Sequence, residues 1–301
     1  MKTTSLFQLR SSGRESAPTF RGIRWSGLTP KAFGAATRCK VKHHLALTAF
    51  VSLLLASSGL LSAAERVRVA PVDLAKSEAE GAALVAKMLA MKPSESITNS
   101  AVLRVRANKT NQFEMPVSIE VRVGETNWAT TYRTLPGNSP GTFTLTFTCS
   151  ATSPNLYELR HDKGDATETK RLSGAEAMIP FAGSDYWVAD LGLEFLHWPV
   201  QRLVKKEICR GESCYRIESI APPGQTNGYV RVVSWMDIDS FNAGFVGLVL
   251  AQTYDASGKM LKEFRPITFK KVKGEYQVEE MEMENFRTGS RTVLRFHLDA
   301  R

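Results

Sequence analysis

Short segments in which apolar and polar side chains alternate follow one another along most of this chain, with turn residues between them. Residues 101–108 and 117–123 begin the series, which continues to residue 298 with one interruption. An alternation with a period of two is typical of β-strands that bury one face and expose the other. Because helices do not alternate regularly with these strands, the pattern excludes a doubly wound α/β fold. It predicts a curved antiparallel sheet or barrel of about a dozen strands.

A first helix is predicted before the strands, over residues 71–91. Pro71 and Asp73 are start signals, apolar residues recur at intervals close to three and four, and Pro93 ends the pattern. A helix with one apolar face must lie on another element in order to bury that face.

The interruption among the strands lies within residues 183–219, where helical spacing returns and a hairpin with two cysteines follows. We expect Ser184 or Asp185 to cap a second helix. An apolar stripe along this helix comprises Trp187, Leu191, Phe195 and Trp198. We therefore predict a helical lid over the sheet, with its acidic residues on the solvent-exposed face.

The charge of the chain is concentrated at its start. There are 39 Lys+Arg and 30 Asp+Glu residues, which give a formal net charge of +9. Residues 1–64 hold nine basic residues and one acidic residue, so +8 of that charge lies there and the remainder of the chain is close to neutral. A near-neutral domain with interleaved charges argues against a nucleic-acid partner.

Residues 1–64 are predicted to be a leader with a signal peptide. A basic segment precedes the apolar run 45–61, and small residues end at Ala64, where we expect cleavage. One exported domain would then span residues 65–301. An uncleaved membrane anchor is the alternative, and initiation at Val41 would give the leader ordinary proportions. Because Cys39 precedes the apolar run, there is no lipobox and we expect no lipid anchor.

Three cysteines follow the leader. Cys209 and Cys214 flank a four-residue turn, so we expect their sulfur atoms to face each other across a tight hairpin and to form a disulfide. Such a short ring adds roughly 2 kcal/mol of stability and would mainly fix the register of the hairpin. A redox-active pair is less favoured, because active dithiols usually have two intervening residues. Cys149 is predicted to be a buried core residue.

Few residues suggest catalysis. The chain after the leader contains no GxSxG, HExxH, Walker A or GxGxxG sequence. Glu194 and His197, with Asp190 one turn earlier, would share a helix face, but a metal site needs further convergent ligands. His161 beside Asp162 is the other candidate pair. We predict a protein that is not an enzyme and has no metal and no cofactor.

Aromatic residues are spread over the strands and the second helix. In a sandwich they would form the core, whereas in a sheet that curves without closing they would line a cavity suited to an apolar chain. We predict a cavity or lid formed by Trp128, Phe143, Phe147, Tyr186, Trp187, Leu191, Phe195, Trp198 and Trp235. The sequence leaves open whether this cavity is empty or filled by the protein's own side chains.

Several short motifs also occur in a distinctive order. They are Gly183-Ser-Asp185-Tyr186 with Asp190-Leu191, then Cys209-x4-Cys214-Tyr215, Trp235-x-Asp237, Tyr254-Asp255-x-x-Gly258-Lys259 and Met281-x-Met283-x-Asn285. Together they resemble the outer membrane lipoprotein-sorting protein family, within the wider LolA/LolB-like superfamily of lipoprotein carriers. The resemblance covers residue 72 to the C-terminus. Residues 241–247 are more apolar than the polar turn typical of the family at this point, which suggests either a mobile membrane-facing loop or a packed hairpin tip.

The resemblance implies an α+β, mainly β fold: an unclosed antiparallel β-barrel of about 11–12 strands covered by α-helices. It implies a monomeric, periplasmic, non-catalytic carrier that holds the acyl chains of lipoproteins, or another lipid, in the hollow and helps to sort them to the outer membrane. The implied partners are a lipoprotein-releasing transporter of the inner membrane and an acceptor at the outer membrane. A signal without a lipobox is more similar to the soluble shuttle than to the anchored acceptor. A regulatory domain that senses lipid or protein with the same fold is the alternative.

Overall fold

The computed structural model of the protein describes residues 73–107, 111–136, 141–272 and 275–298. The predicted signal peptide and its cleavage site lie outside the described residues. Within the described ranges, no helix combines the length and the apolar character that a membrane crossing requires.

Thirteen strands form the main body of the described chain. They are β1 (Ile97–Arg106), β2 (Gln112–Val123), β3 (Asn127–Thr134), β4 (Thr142–Ser150), β5 (Leu156–Lys163), β6 (Ala166–Leu172), β7 (Val200–Cys209), β8 (Glu212–Ile220), β9 (Arg231–Asp237), β10 (Leu248–Tyr254), β11 (Met260–Val272), β12 (Glu275–Asn285) and β13 (Ser290–Phe296). Three α-helices accompany them: α1 (Leu74–Leu89), α2 (Val188–Leu191) and α3 (Ile238–Asn242).

All thirteen strands belong to one antiparallel sheet, in the order β6-β5-β4-β3-β2-β1-β13-β12-β11-β10-β9-β8-β7. Hairpins connect most neighbours, and the first strand pairs with the last, which joins the two halves of the sheet. Among the described residues, the edge strands β6 and β7 do not pair with each other, so the sheet is open. The predicted open antiparallel fold is confirmed, with thirteen strands instead of 11–12.

The sheet curves strongly, as two tyrosines near its opposite ends show. Tyr157 on β5 and Tyr229, just before β9, belong to parts of the sheet nine strand spacings apart, roughly 43 Å if the sheet were flat. Tyr157 donates a hydrogen bond to Glu194 at 2.8 Å, and Tyr229 donates one to Asp190 at 2.9 Å. Asp190 and Glu194 are four residues apart, and four residues span at most about 14 Å. The sheet therefore wraps around the segment that carries them.

Helix α1 begins where the sequence predicts, because the Asp73 side chain accepts a hydrogen bond from the backbone N–H of Lys76. Its buried face lies on edge strand β7, where Ser77 Oγ donates to the carbonyl oxygen of Leu203 at 3.0 Å. Gly81 permits this close approach, since a Cβ atom there would lie 2.5 Å from the carbonyl oxygen of Gln201. Helix α1 thus covers part of one open edge of the sheet.

The prediction of one continuous second helix is wrong, because the helices observed there are short. In its place, residues 178–198, which we call the central segment, contain only the single-turn helix α2 and a 3-10 helix over Glu194–His197. Leu193, between them, has a left-handed backbone conformation (φ 49°), which interrupts any continuous helix. Trp187 occupies the position before α2, and its N–H donates to Asp190, so neither Ser184 nor Asp185 is the cap.

The hydrophobic core lies between the concave face of the sheet and the central segment. Phe181, Tyr186 and Val188 are at most 1 % exposed and pack against apolar residues of the strands. The central segment therefore fills much of the hollow that the sequence analysis left as either open or filled.

Candidate functional site

An apolar cavity of about 120 Å³ remains beside the central segment. It lies among the end of α1, strands β3 and β4, the central segment and the loop after α3. Its apolar lining includes Met88, Leu89, Trp128, Phe147, Leu191, Leu196, Phe245 and Val246. These elements come from distant parts of the chain, so the cavity exists only in the folded protein.

Lys92 and His197 supply the basic groups of this lining. The exposed Lys92 ammonium donates to the carbonyl oxygens of Gly124 at 2.6 Å and Glu125 at 2.9 Å. Burial lowers the pKa of the His197 imidazole. Among the described residues that line the cavity, none has a carboxylate side chain. The cavity is therefore apolar inside and weakly basic at its rim.

A buried polar group joins the central segment to β5 next to the cavity. The amide nitrogen of Asn155 donates to the carbonyl oxygen of Gly192 at 2.8 Å and to Tyr157 Oη at 3.1 Å. Tyr157 Oη in turn donates to the Glu194 carboxyl, which is 3 % exposed. Burial raises the pKa of Glu194 to about 7, although the hydrogen bonds from Tyr157 and Asn155 oppose the shift.

A buried ion pair joins the central segment to β11. The Lys262 ammonium lies 2.7 Å from the Asp190 carboxylate and 2.9 Å from the carbonyl oxygen of Asp185. It also lies 3.5 Å from the ring centroid of Trp187, which stacks on Tyr229. Burial lowers the pKa of Lys262 to about 8, against the opposing attraction of Asp190. This ion pair fixes the position of α2 on the sheet.

Asp185 makes the third polar connection of the central segment. Its carboxylate accepts hydrogen bonds from Asn285, Ser290 and Thr292, at the turn between β12 and β13. Its own N–H donates to Thr292 Oγ1 at 2.9 Å. Asp185, Asp190 and Asn285 belong to the motifs that carry the family resemblance, and the structure shows that their shared role is to hold the central segment in place.

Eight of the nine predicted cavity residues lie on the concave side of the sheet and fall into three groups. Trp128, Phe147 and Leu191 line the cavity. Phe143 stacks on His161 with 4.0 Å between the ring centroids, at the end of β4. Of the other four residues, Tyr186, Phe195 and Trp198 belong to the buried core, and Trp187 is partly buried and packs against it.

The prediction that Trp235 forms part of the cavity or lid is wrong. Its indole N–H donates to Glu207, and Arg216 lies 5.3 Å from its ring centroid. The neighbouring residues Val232 and Met236 belong to the core cluster, so Trp235 projects from the opposite, convex face. Alternation in β9 assigns Trp235 to the face opposite Val232 and Met236 but does not reveal which of the two faces is concave.

The predicted disulfide is not formed in the structure, where Cys209 and Cys214 are free thiols. Cys209 pairs with Glu212 and Cys214 pairs with Glu207, so the two cysteines lie diagonally on the hairpin and not opposite each other. The turn has two residues, Arg210 and Gly211, both with positive φ. The predicted facing positions were wrong because the sequence analysis assumed a four-residue turn. Cys149 is buried, as predicted.

The candidate catalytic groups do not converge. Asp190 forms an ion pair with Lys262, whereas Glu194 accepts a hydrogen bond from Tyr157. Asp162 accepts from Arg160 and Thr167 on the outer part of β5. In the described part of the chain, no group of three or more His, Cys, Asp or Glu residues is arranged to hold a metal ion.

Sequence reasoning missed Lys262 and Thr292. Both residues are polar, but alternation assigns Lys262 to the face of Phe264 and Thr292 to the face of Leu294, and both of these apolar residues are buried. Lys262 also closely follows the motif that ends at Lys259. A polar residue on the apolar face of a strand is therefore the signal for a buried partner of the acidic residues of the central segment.

A family model described only as that of an uncharacterized protein matches residues 163–298. No curated protein matches the chain.

Several solved structures share its fold, including the three that follow. A DUF1329 family protein from Desulfovibrio piger is 18% identical, with a TM-score of 0.59 over 73% of this chain and 91% of that chain. A putative outer membrane lipoprotein-sorting protein domain from Vibrio parahaemolyticus is 17% identical, with a TM-score of 0.59 over 73% and 92%. A LolA superfamily protein from Nitrosomonas europaea is 18% identical, with a TM-score of 0.50 over 72% and 91%. The chain therefore shares its fold with these structures, which include a putative outer membrane lipoprotein-sorting protein domain and a LolA superfamily protein.

Proposed function

We propose that this protein is a non-catalytic periplasmic carrier that binds an acyl chain of a lipoprotein or another lipid and helps to deliver it to the outer membrane. The observation that carries the proposal is the apolar cavity between α1 and the central segment. The shared fold with a putative lipoprotein-sorting domain and a LolA superfamily protein supports it. The membrane partners would be a lipoprotein-releasing transporter and an outer-membrane acceptor.

The physical basis of this function is the transfer of methylene groups from water into an apolar site. Each buried CH2 group contributes about 0.8 kcal/mol to binding, so even a partly enclosed chain gains several kcal/mol. A carrier must also release its cargo, which requires that some wall of the cavity can move. Helix α1, the central segment and the loop at residues 244–246 are the main walls outside the curved sheet.

Native mass spectrometry of the protein purified from the periplasm tests the proposal. We expect co-purified lipid or lipoprotein on the wild type and its loss from Val246→Trp, which places a large side chain in the cavity. Leu156→Trp is the matched control, because Leu156 is 70 % exposed and does not line the cavity. Absence of any acylated species from the wild type, together with no binding of acylated probes, would contradict the proposal.

A further inference from the structure

The size of the cavity limits what it can hold. Its volume of about 120 Å³ is slightly below that of an engineered protein cavity of about 150 Å³ that binds benzene. The rest of the hollow is filled by the central segment, in which Phe181 is 0 % and Tyr186 is 1 % exposed. In this conformation the cavity therefore admits the end of one apolar chain and not two or three chains side by side.

Three separate polar attachments keep the central segment from making more room. Lys262 on β11 forms an ion pair with Asp190. Side chains of β12 and β13 donate hydrogen bonds to the Asp185 carboxylate. Tyr157 on β5 donates a hydrogen bond to Glu194. A ligand with several chains would have to break these attachments, which lie on strands from both halves of the sheet. A ligand with one chain would leave them intact.

The charge at the rim indicates the head group of the ligand. Lys92 is exposed beside Met91 and Pro93, and its ammonium is held in place by two carbonyl oxygens. The described residues that line the cavity include no Asp or Glu. One fixed cation beside an apolar cavity is complementary to one anionic group attached to one apolar chain.

We propose that the cavity binds a single-chain anionic amphiphile of the fatty-acid class, with its chain end between Phe147 and Leu196 and its carboxylate beside Lys92. This inference rests on the proposed carrier function and specifies its ligand. It differs from the family expectation of a lipoprotein with several acyl chains.

Titration of the full-length chain with dodecanoate below its micelle concentration tests the inference, with the heat of binding in isothermal titration calorimetry as the readout. We expect saturable binding that Lys92→Gln weakens about fivefold, as the loss of one exposed ion pair allows. Dodecanol, which has no charge, should bind the wild type and Lys92→Gln equally. Lys87→Gln is the matched control, because Lys87 is an exposed residue at the end of α1 and does not line the cavity.

Two further measurements separate the inference from the function on which it rests. Val246→Trp should abolish dodecanoate binding while its circular dichroism and unfolding transition match the wild type. Equal dodecanoate affinity of the wild type and Lys92→Gln would overturn the inference. Binding of a triacylated lipopeptide without binding of dodecanoate would also overturn it and leave the carrier function standing, whereas binding of neither probe would overturn both.

Discussion

Lys262 and Asp190 form a salt bridge of 2.7 Å in which the side chains are 1% and 7% exposed. The two residues are 72 positions apart, one on β11 and one on α2. Charged groups are rarely buried so deeply unless they are paired. The pair therefore fixes where the central segment lies inside the curved sheet.

Replacement of Lys262 by methionine should lower the free energy of unfolding by roughly 3 kcal/mol, because it leaves the Asp190 carboxylate buried without its cation. Lys259→Met, at an exposed turn position, should change stability by less than about 0.5 kcal/mol. Urea unfolding measures both. Combining Lys262→Met with Asp190→Asn should recover part of the loss, and an unchanged stability of the single variant would contradict the buried pair.

Replacement of Thr292 by valine should also be destabilising, by about 1–3 kcal/mol. The hydroxyl donates to the Asp185 carboxylate at 2.8 Å and accepts from the Asp185 N–H, and valine keeps the shape but neither hydrogen bond. Thr98→Val on the exposed part of β1 is the control. Thermal unfolding compares the two variants, and equal effects would show that Asp185 is not held through Thr292.

Stability should depend on pH through Glu194. Burial raises the pKa of its carboxyl from 4.5 to about 7, so the folded protein binds the proton more tightly than the unfolded chain does. The resulting stabilisation is fully present below about pH 4.5 and is lost as the pH rises through 7. The wild type should therefore lose roughly 3 kcal/mol relative to Glu194→Gln between pH 4.5 and pH 8.5. Glu125→Gln, at an exposed position, should show no such trend relative to the wild type.

Replacement of Gly81 by alanine tests how closely α1 lies on β7. Alanine favours a helix by about 1 kcal/mol over glycine, but its methyl group would lie 2.5 Å from the backbone of Gln201. We expect a net loss of about 1–3 kcal/mol, because the helix must move away from the strand. Ala83→Gly at an exposed position of α1 calibrates the propensity effect. A more stable Gly81→Ala variant, measured by urea unfolding, would show that α1 does not dock in this way.

Much of the fold follows from local sequence patterns. Alternation located the strands, and Asp73 with Pro93 bounded α1, because these signals depend on side-chain spacing and backbone capping within one segment. The turn at Arg210 and Gly211 was predicted two residues too long, which displaced the cysteines from their true register. A two-residue turn with positive φ values is not evident from alternation alone.

The sequence by itself determined an antiparallel sheet, an amphipathic first helix and an aromatic interruption at residues 183–198. Only the tertiary structure decided that this interruption becomes the central segment, which contains short helices and is bound by Lys262, Thr292 and Tyr157. It also decided that Trp235 lies on the convex face. The reason is physical. Periodicity records which side chains share a face, whereas curvature and long-range pairing decide which face encloses the core and how much space remains there.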